Sequence, residues 1–146
     1  ILFLKSVGLS EEEIIDGMQN KGGLLGISGI SGDMRYIEAA AQQGNERAQL
    51  ALELFASSVA HYIGAFYVNL GGLDDLVFTG GVGENSDVLR RMVCQKLAAL
   101  GVSLDEERNL TVKNGCISAP GSKANVWVLP TDEELGIARS TYAFQK

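Results

Sequence analysis

Cysteine, histidine and concentrated positive charge are all scarce in this chain, and each scarcity closes off a class of protein. The two cysteines, Cys94 and Cys116, stand outside any C-x-x-C arrangement. Cys94 falls in a helix-patterned stretch and reads as a reduced structural thiol rather than half of a redox or metal pair. The single histidine, His61, lies in the middle of a long helical pattern with no motif around it, and reads as a structural or surface residue. Twelve Lys and Arg against eighteen Asp and Glu leave a net charge of −6, and no stretch concentrates the bases, which argues against a nucleic-acid partner. No uninterrupted apolar run reaches the ~18 residues of a membrane span, and nothing at the start resembles a signal peptide. Internal repeats and low-complexity tracts are missing too. These points favour a cytoplasmic protein with no membrane partner.

At 146 residues the length suggests one domain, able to bury roughly 70% of its unfolded surface. The chain opens on Ile1-Leu2-Phe3-Leu4, an apolar patch that reads as the tail of an element begun earlier. Ser10 with Glu13 forms the pattern of a capping box opening a short helix, which Gly22 and Gly23 close. Leu24 to Gly32 is rich in Gly and Ser and reads as a loop, followed by a helix from near Asp33 to Gln43. The strongest helix runs from Glu46 to about Leu70. Ala48, Leu52, Phe55, Val59, Ile63, Phe66 and Leu70 step along it by three or four. Some 25 residues of helix would measure about 37 Å, with an apolar face for core and for a subunit interface.

The most telling segment is L-V-F-T-G-G-V-G-E-N, from Leu76 to Asn85. Leu76-Val77-Phe78 fits a short buried strand, and Leu89, Met92, Val93, Leu97 and Leu100 then repeat at helical spacing up to Gly101. Gly80, Gly81 and Gly83 therefore sit between a strand end and a helix start, where free N–H groups suit an anionic ligand and missing side chains permit close approach. Spacing alone fits a plain tight turn equally well, with Asn85 or Ser86 capping the helix. Further on, Asp105 to Asn109 reads as a polar connector, Asn125 to Leu129 as a second strand ended by Pro130, and Thr131 as the cap of a last helix. Helix, strand, helix, strand, helix implies a parallel α/β arrangement.

The wording T-G-G-V-G-E-N resembles the adenosine-binding stretch of the acetate kinases and their propionate and butyrate kinase relatives. Two further segments agree in the expected order: G-L-L-G-I-S-G-I-S-G-D-M-R from Gly23 to Arg35, and L-P-T-D-E-E-L-G-I-A-R from Leu129 to Arg139. The resemblance implies a ribonuclease-H-like fold of the actin-like ATPase superfamily. Residues 1–146 would form its C-terminal nucleotide-binding domain, incomplete on the N-terminal side, with the N-terminal domain lying ahead of Ile1. It also implies a homodimer formed through this domain.

Residue by residue, the resemblance places Gly81, Val82, Gly83, Glu84 and Asn85 around the adenosine side of ATP or ADP. Glu84 is expected to act through its backbone or on the ribose, because a carboxylate is an odd neighbour for phosphate. Asp33, Met34 and Arg35 match a second nucleotide segment, in which a guanidinium can stack on the purine while Asp positions it. Some members have Phe where Met34 stands, and Met can still pack against a base. Taken alone, Asp33 is a good helix cap and Arg35 a solvated charge. Thr131 with Glu134 reads as a capping box, whereas the resemblance makes Glu133 the ligand of a phosphate-bridging Mg2+, a cation for which one or two carboxylates suffice. Asp132 stands where the usual family wording has Asn.

The implied activity is reversible transfer of the γ-phosphoryl of ATP to acetate, giving acetyl phosphate. This chain would supply the adenosine platform and one metal carboxylate. The family's catalytic residues and acyl pocket would lie upstream of Ile1, so the isolated chain is expected to be inactive. Acyl selectivity among acetate, propionate and butyrate is not written in these residues. Two other readings compete. Gly81-x-Gly83-x-x-Ser86 with Asp105 about 20 residues on approximates the fingerprint of a dinucleotide-binding oxidoreductase half-domain. A non-catalytic actin-like scaffold would share the fold.

Overall fold

The computed structural model describes residues 1–144 as an α/β protein with one long helix and a small mixed sheet. It divides into two compact units, residues 1–59 and residues from 60 onward.

The first unit is helical. Helix α1 spans Leu2–Ser6, α2 Glu11–Gln19, α3 Gly23–Ser28 and α4 Met34–Gln42, and the first part of α5 (Glu46–Leu70) completes it. The capping box at α2 forms as the sequence predicts. Ser10 Oγ accepts the Glu13 N–H at 3.2 Å, and the Glu13 carboxylate accepts the Ser10 N–H at 2.8 Å. Residues 24–32, expected as a loop, instead contain α3. Their Gly and Ser content hides a short helix that ends where Gly29 turns left-handed, at φ 68°. Arg47 on α5 stabilises that end, donating from Nε to Ile27 O at 2.8 Å and from Nη2 to Gly26 O at 3.0 Å.

Helix α5 begins and ends where its periodicity predicts. Its apolar face is not uniform. The buried residues are Ala48, Ala51, Leu52 and Ala56, all before residue 60, while Phe66, Val68 and Leu70 are exposed. The sequence holds no uninterrupted apolar run of membrane length. Even so, α5 as a whole, with a window of mean hydropathy 1.2, is long and apolar enough by length and composition to cross a bilayer. His61 is exposed, with its ring edge-on to Tyr62.

The second unit holds the sheet. Strand β1 is Asp75–Phe78, β2 Gly115–Cys116 and β3 Asn125–Val128, in the order β1-β3-β2. β1 and β3 run parallel, from Asp75 beside Asn125 to Phe78 beside Val128. The two strands read from the sequence thus pair parallel as expected, whereas β2, an unexpected strand, runs antiparallel to β3 and makes the sheet mixed: a two-residue strand of Gly and Cys carries no periodic signal. Strand β1 is also not a buried strand. It lies at the sheet edge, where only Phe78 is buried and Val77 is 45% exposed. Asp75 ties the two parallel strands together by accepting from Asn125 Nδ2 at 3.0 Å and from Trp127 Nε1 at 2.7 Å.

Between β1 and β2 run α6 (Gly80–Asn85), α7 (Asp87–Lys96), a 3-10 turn at Ala98–Leu100, and α8 (Glu106–Thr111). Ser86 caps α7, its Oγ accepting the Leu89 N–H at 3.0 Å, and Leu89, Val93, Cys94 and Leu97 form the buried stripe. Helix α8 replaces the expected polar connector, with Asp105 as its cap. Helix α9, Glu133–Ala143, follows β3 and buries none of its residues.

Candidate functional site

The glycine segment is not the open turn that its composition predicts. Residues 80–85 wind into the short helix α6, and its three glycines do three different jobs. Gly80 turns the chain out of β1 with φ 71°, a conformation that side chains disfavour. Gly83 lies against the strand: a Cβ there would sit 3.2 Å from the Phe78 carbonyl carbon. Its missing side chain is explained by close packing of α6 on β1, rather than by the ligand approach expected of it. Gly80 and Gly81 both have nothing within 4 Å of an added Cβ, but of the three only Gly81 is exposed and free of the positive φ that disfavours a side chain.

Helix α6 is fixed from beneath by a residue that sequence reading passed over. Arg90, on α7, is 0% exposed. Its Nη1 donates to Gly83 O and Glu84 O, both at 2.9 Å, so the guanidinium satisfies carbonyls at the C-terminal end of α6. Its Nε donates to Asn109 Oδ1 at 2.8 Å and its Nη2 to Asn109 O at 2.6 Å. Asn109, also buried, donates from Nδ2 to Asp87 O at 3.0 Å. One buried cation and one buried amide thus lock α6, α7 and α8 together. The pattern L-R-R within an amphipathic helix reads as solvated charge, and the partners of Arg90 lie up to 19 residues away. No local signal separates buried Arg90 from half-exposed Arg91.

Glu84 and Asn85 are also engaged within the unit. Asn85 Nδ2 donates to Gly81 O at 2.8 Å, and the helix cap is Ser86. Glu84 Oε1 accepts three hydrogen bonds: from Gly80 N–H at 2.8 Å, Thr131 N–H at 2.8 Å and Thr131 Oγ1 at 3.0 Å. All three donors fall on Oε1, so one carboxylate oxygen is engaged within the protein. The Thr131 N–H, then its hydroxyl, then the Gly80 N–H hold the Glu84 carboxyl below the usual carboxylate range. The bonded carboxylate therefore persists above that range and is lost as pH falls through its lowered value.

The same clasp corrects the reading of Thr131. The expected box of Thr131 and Glu134 does not form: the helix starts one residue later, and Thr131 donates its hydroxyl to Glu84. Asp132 caps α9 instead, its Oδ1 accepting the Leu135 N–H at 2.9 Å. Gly81, Glu84, Thr131, Asp132, Glu133 and Glu134 together line one open depression of about 440 Å3. Two segments some fifty residues apart in the chain thus meet: the glycine helix and the acidic start of α9. Val82 and Gly83 are half-buried and do not line it.

Asp33, Met34 and Arg35 belong to the first unit. Asp33 caps α4 by accepting the Arg35 N–H at 3.0 Å, and its two oxygens pair with the Arg35 guanidinium. Arg35 in turn holds the Asp33 carboxyl below the usual carboxylate range. Its guanidinium is held yet exposed. Met34 is only 7% exposed, since the helix turns it into the core, so its side chain has little surface left for a base.

Among the described residues no three His, Cys, Asp or Glu side chains converge as a closed metal cage. The donors at the depression are the carboxylates of Asp132, Glu133 and Glu134, all exposed hard oxygen ligands at a helix start. That donor chemistry fits a cation that keeps most of its waters, such as Mg2+, and not one needing full enclosure. Asp105, the ribose acid of the oxidoreductase reading, accepts the Arg108 N–H at 2.9 Å as the cap of α8, and the strand after it runs antiparallel. A dinucleotide half-domain needs that strand parallel.

The model of the Acetokinase family matches residues 1–139. An acetate kinase of Dictyoglomus turgidum is 49% identical over 142 residues, covering 97% of this chain and 35% of that protein. The crystal structure of Porphyromonas gingivalis acetate kinase superposes with a TM-score of 0.86 at 41% identity, over 99% of this chain and 37% of that one. A propionate kinase from Francisella tularensis gives 0.85 at 37% identity, over 94% and 35% of the two chains. The chain spans about a third of the length of the relatives it matches. With its family segments in order and its fold superposing throughout, the chain belongs to the acetokinase family.

Proposed function

We propose that this chain is the nucleotide-binding part of an ATP-dependent acetate kinase, which transfers the γ-phosphoryl group of ATP reversibly to acetate. The single observation that carries the reading is the depression that Gly81, the exposed glycine of α6, lines together with Glu133. In this reading the backbone of α6 at Gly81 lies along the adenosine side of ATP or ADP, where any side chain would intrude. The segment of Asp33 and Arg35, whose exposed guanidinium Asp33 holds, is assigned to nucleotide binding by the family resemblance. Glu133, with water completing the shell, would hold Mg2+, which when bound neutralises phosphate charge. The residues that act on acetate are expected in the part of the protein that precedes this chain. The ribonuclease-H-like superfamily, a homodimer formed through this domain and a cytoplasmic location belong to the same proposal. The propionate kinase among its structural relatives keeps propionate open as the acceptor.

The test is calorimetry of the full-length protein with ADP and with NADH, beside trapping of acetyl phosphate as its hydroxamate from ATP and acetate. Binding of ADP and trapped product are expected. Binding of NADH but not ADP would return the oxidoreductase reading. ADP binding without phosphoryl transfer to acetate or propionate would favour the non-catalytic scaffold.

A further inference from the structure

We propose that Glu84 is a positioning residue: its carboxylate couples the glycine helix to the metal-side helix start, so that nucleotide and divalent cation are held in register. The inference rests on the proposed function and assigns Glu84 a role different from direct contact with the nucleotide.

The geometry leads there in three steps. Glu84 Oε1 gathers donors from both walls of the depression, Gly80 N–H from α6, and the N–H and hydroxyl of Thr131 from the segment leading into α9. Charge-assisted hydrogen bonds of this kind are stronger than neutral ones, and a single oxygen taking three of them has little freedom. Second, the two walls are anchored unequally. Arg90 ties α6 into the core, whereas α9 buries no residue and has only its own Asp132 cap at its start. A link to α6 therefore transmits the fixed position of the glycine helix to the mobile-by-construction wall. Third, Thr131 lies two residues ahead of Glu133, so holding its backbone and hydroxyl sets where the Glu133 carboxylate emerges relative to Gly81. Without the link the walls would still share the β1–β3 pairing, which runs as far as Leu129 N–H on Phe78 O at 3.0 Å, but the step from Leu129 to Glu133 would lose its tie to α6.

The experiment titrates ADP into the full-length protein with and without Mg2+, for wild type, Glu84→Ala, Glu84→Gln and Thr131→Val. Wild type should bind ADP, and more tightly with Mg2+. In Glu84→Ala the gain in ADP affinity from Mg2+ should shrink about tenfold, the scale of a lost charge-assisted bond. Glu84→Gln keeps an oxygen acceptor in place and should retain most of the gain. Thr131→Val removes one donor and should lose about threefold of it, which keeps the inference testable if Glu84→Ala fails to fold. An undiminished Mg2+ gain in Glu84→Ala, or in Thr131→Val should Glu84→Ala not fold, overturns the inference. So does a Glu84→Gln protein as damaged as the alanine variant, since charge rather than position would then matter. Wild type that binds no ADP overturns the functional reading itself, a result distinct from the other two.

Discussion

Helices α7 and α9 are nearly equal in length, at 10 and 11 residues, and both follow a strand of the sheet toward the same depression, α7 by way of α6. Their energetics have little in common. Helix α7 buries Leu89, Arg90, Val93 and Cys94 and carries the glycine helix on its guanidinium. Helix α9 leaves Leu135, Ile137 and Tyr142 exposed, with Ile137 at 67%. One wall of the site is therefore built by core packing, the other by hydrogen bonds at a helix start. Burial fixes a backbone through many contacts at once, whereas a cap and a clasp can open individually. The glycine-helix wall is in this sense preformed, and the wall at the start of α9 is conditional.

The harshest way to break this contrast is Arg90→Ala. It strips four carbonyl oxygens of their donor and leaves a cavity, and should cost on the order of 3 kcal/mol or more of stability, read as a fall in the urea midpoint. A loss under about 1 kcal/mol would mean the glycine helix does not depend on the core. Next come two glycine substitutions that should part company. Gly83→Val drives a side chain into the Phe78 backbone and should cost on the order of 1–3 kcal/mol by overpacking. Gly81→Val meets nothing in the protein, so it should barely alter stability yet weaken ADP binding about tenfold, measured by calorimetry on the full-length protein. If Gly81→Val binds ADP normally, the depression is not the nucleotide site.

The mildest test leaves the sequence untouched. Trypsin should cut after Arg139 on α9 before it cuts after Arg90 or Arg91 on α7, as mass spectrometry of early digests would show. Thiol labelling should follow the same order of access. Burial pushes the Cys94 thiol up to about 12, while the Ser118 hydroxyl beside Cys116 holds that thiol below its ordinary value. Cys116 should therefore alkylate first, and Cys94 only as fast as α7 opens. Equal labelling rates would show that α7 opens more readily than its burial suggests.

What could be read from the sequence depended on how far each feature reaches along the chain. Helix α5, the capping box at Ser10 and the cap at Asp33 are local, and the structure places them where the pattern predicts. Helices α3 and α8 are each six residues long, too short for periodicity to show, so composition misread them as loop and connector. Strand β2 is two residues, and its antiparallel pairing has no local cause. At the site, the three family segments were legible as words, and two of them do meet at one depression. The distribution of labour within them was not. Whether a glycine packs on a neighbouring strand depends on Phe78, and the bonds of Thr131 run to Glu84, 47 positions away, while Asp132 caps the helix.

The hydrogen bond between Trp127 and Asp75 makes the protein its own optical reporter. The chain has one tryptophan, on the central strand, with its indole N–H donated to a carboxylate of the parallel neighbour. Emission from a lone indole reports a single place, and here that place is the seam between β1 and β3, four residues ahead of Thr131 on one strand and shortly before Gly80 on the other. Any ligand that pulls the two walls together must act through the ends of these strands. Its arrival can be followed as a change in colour or intensity without attaching a dye.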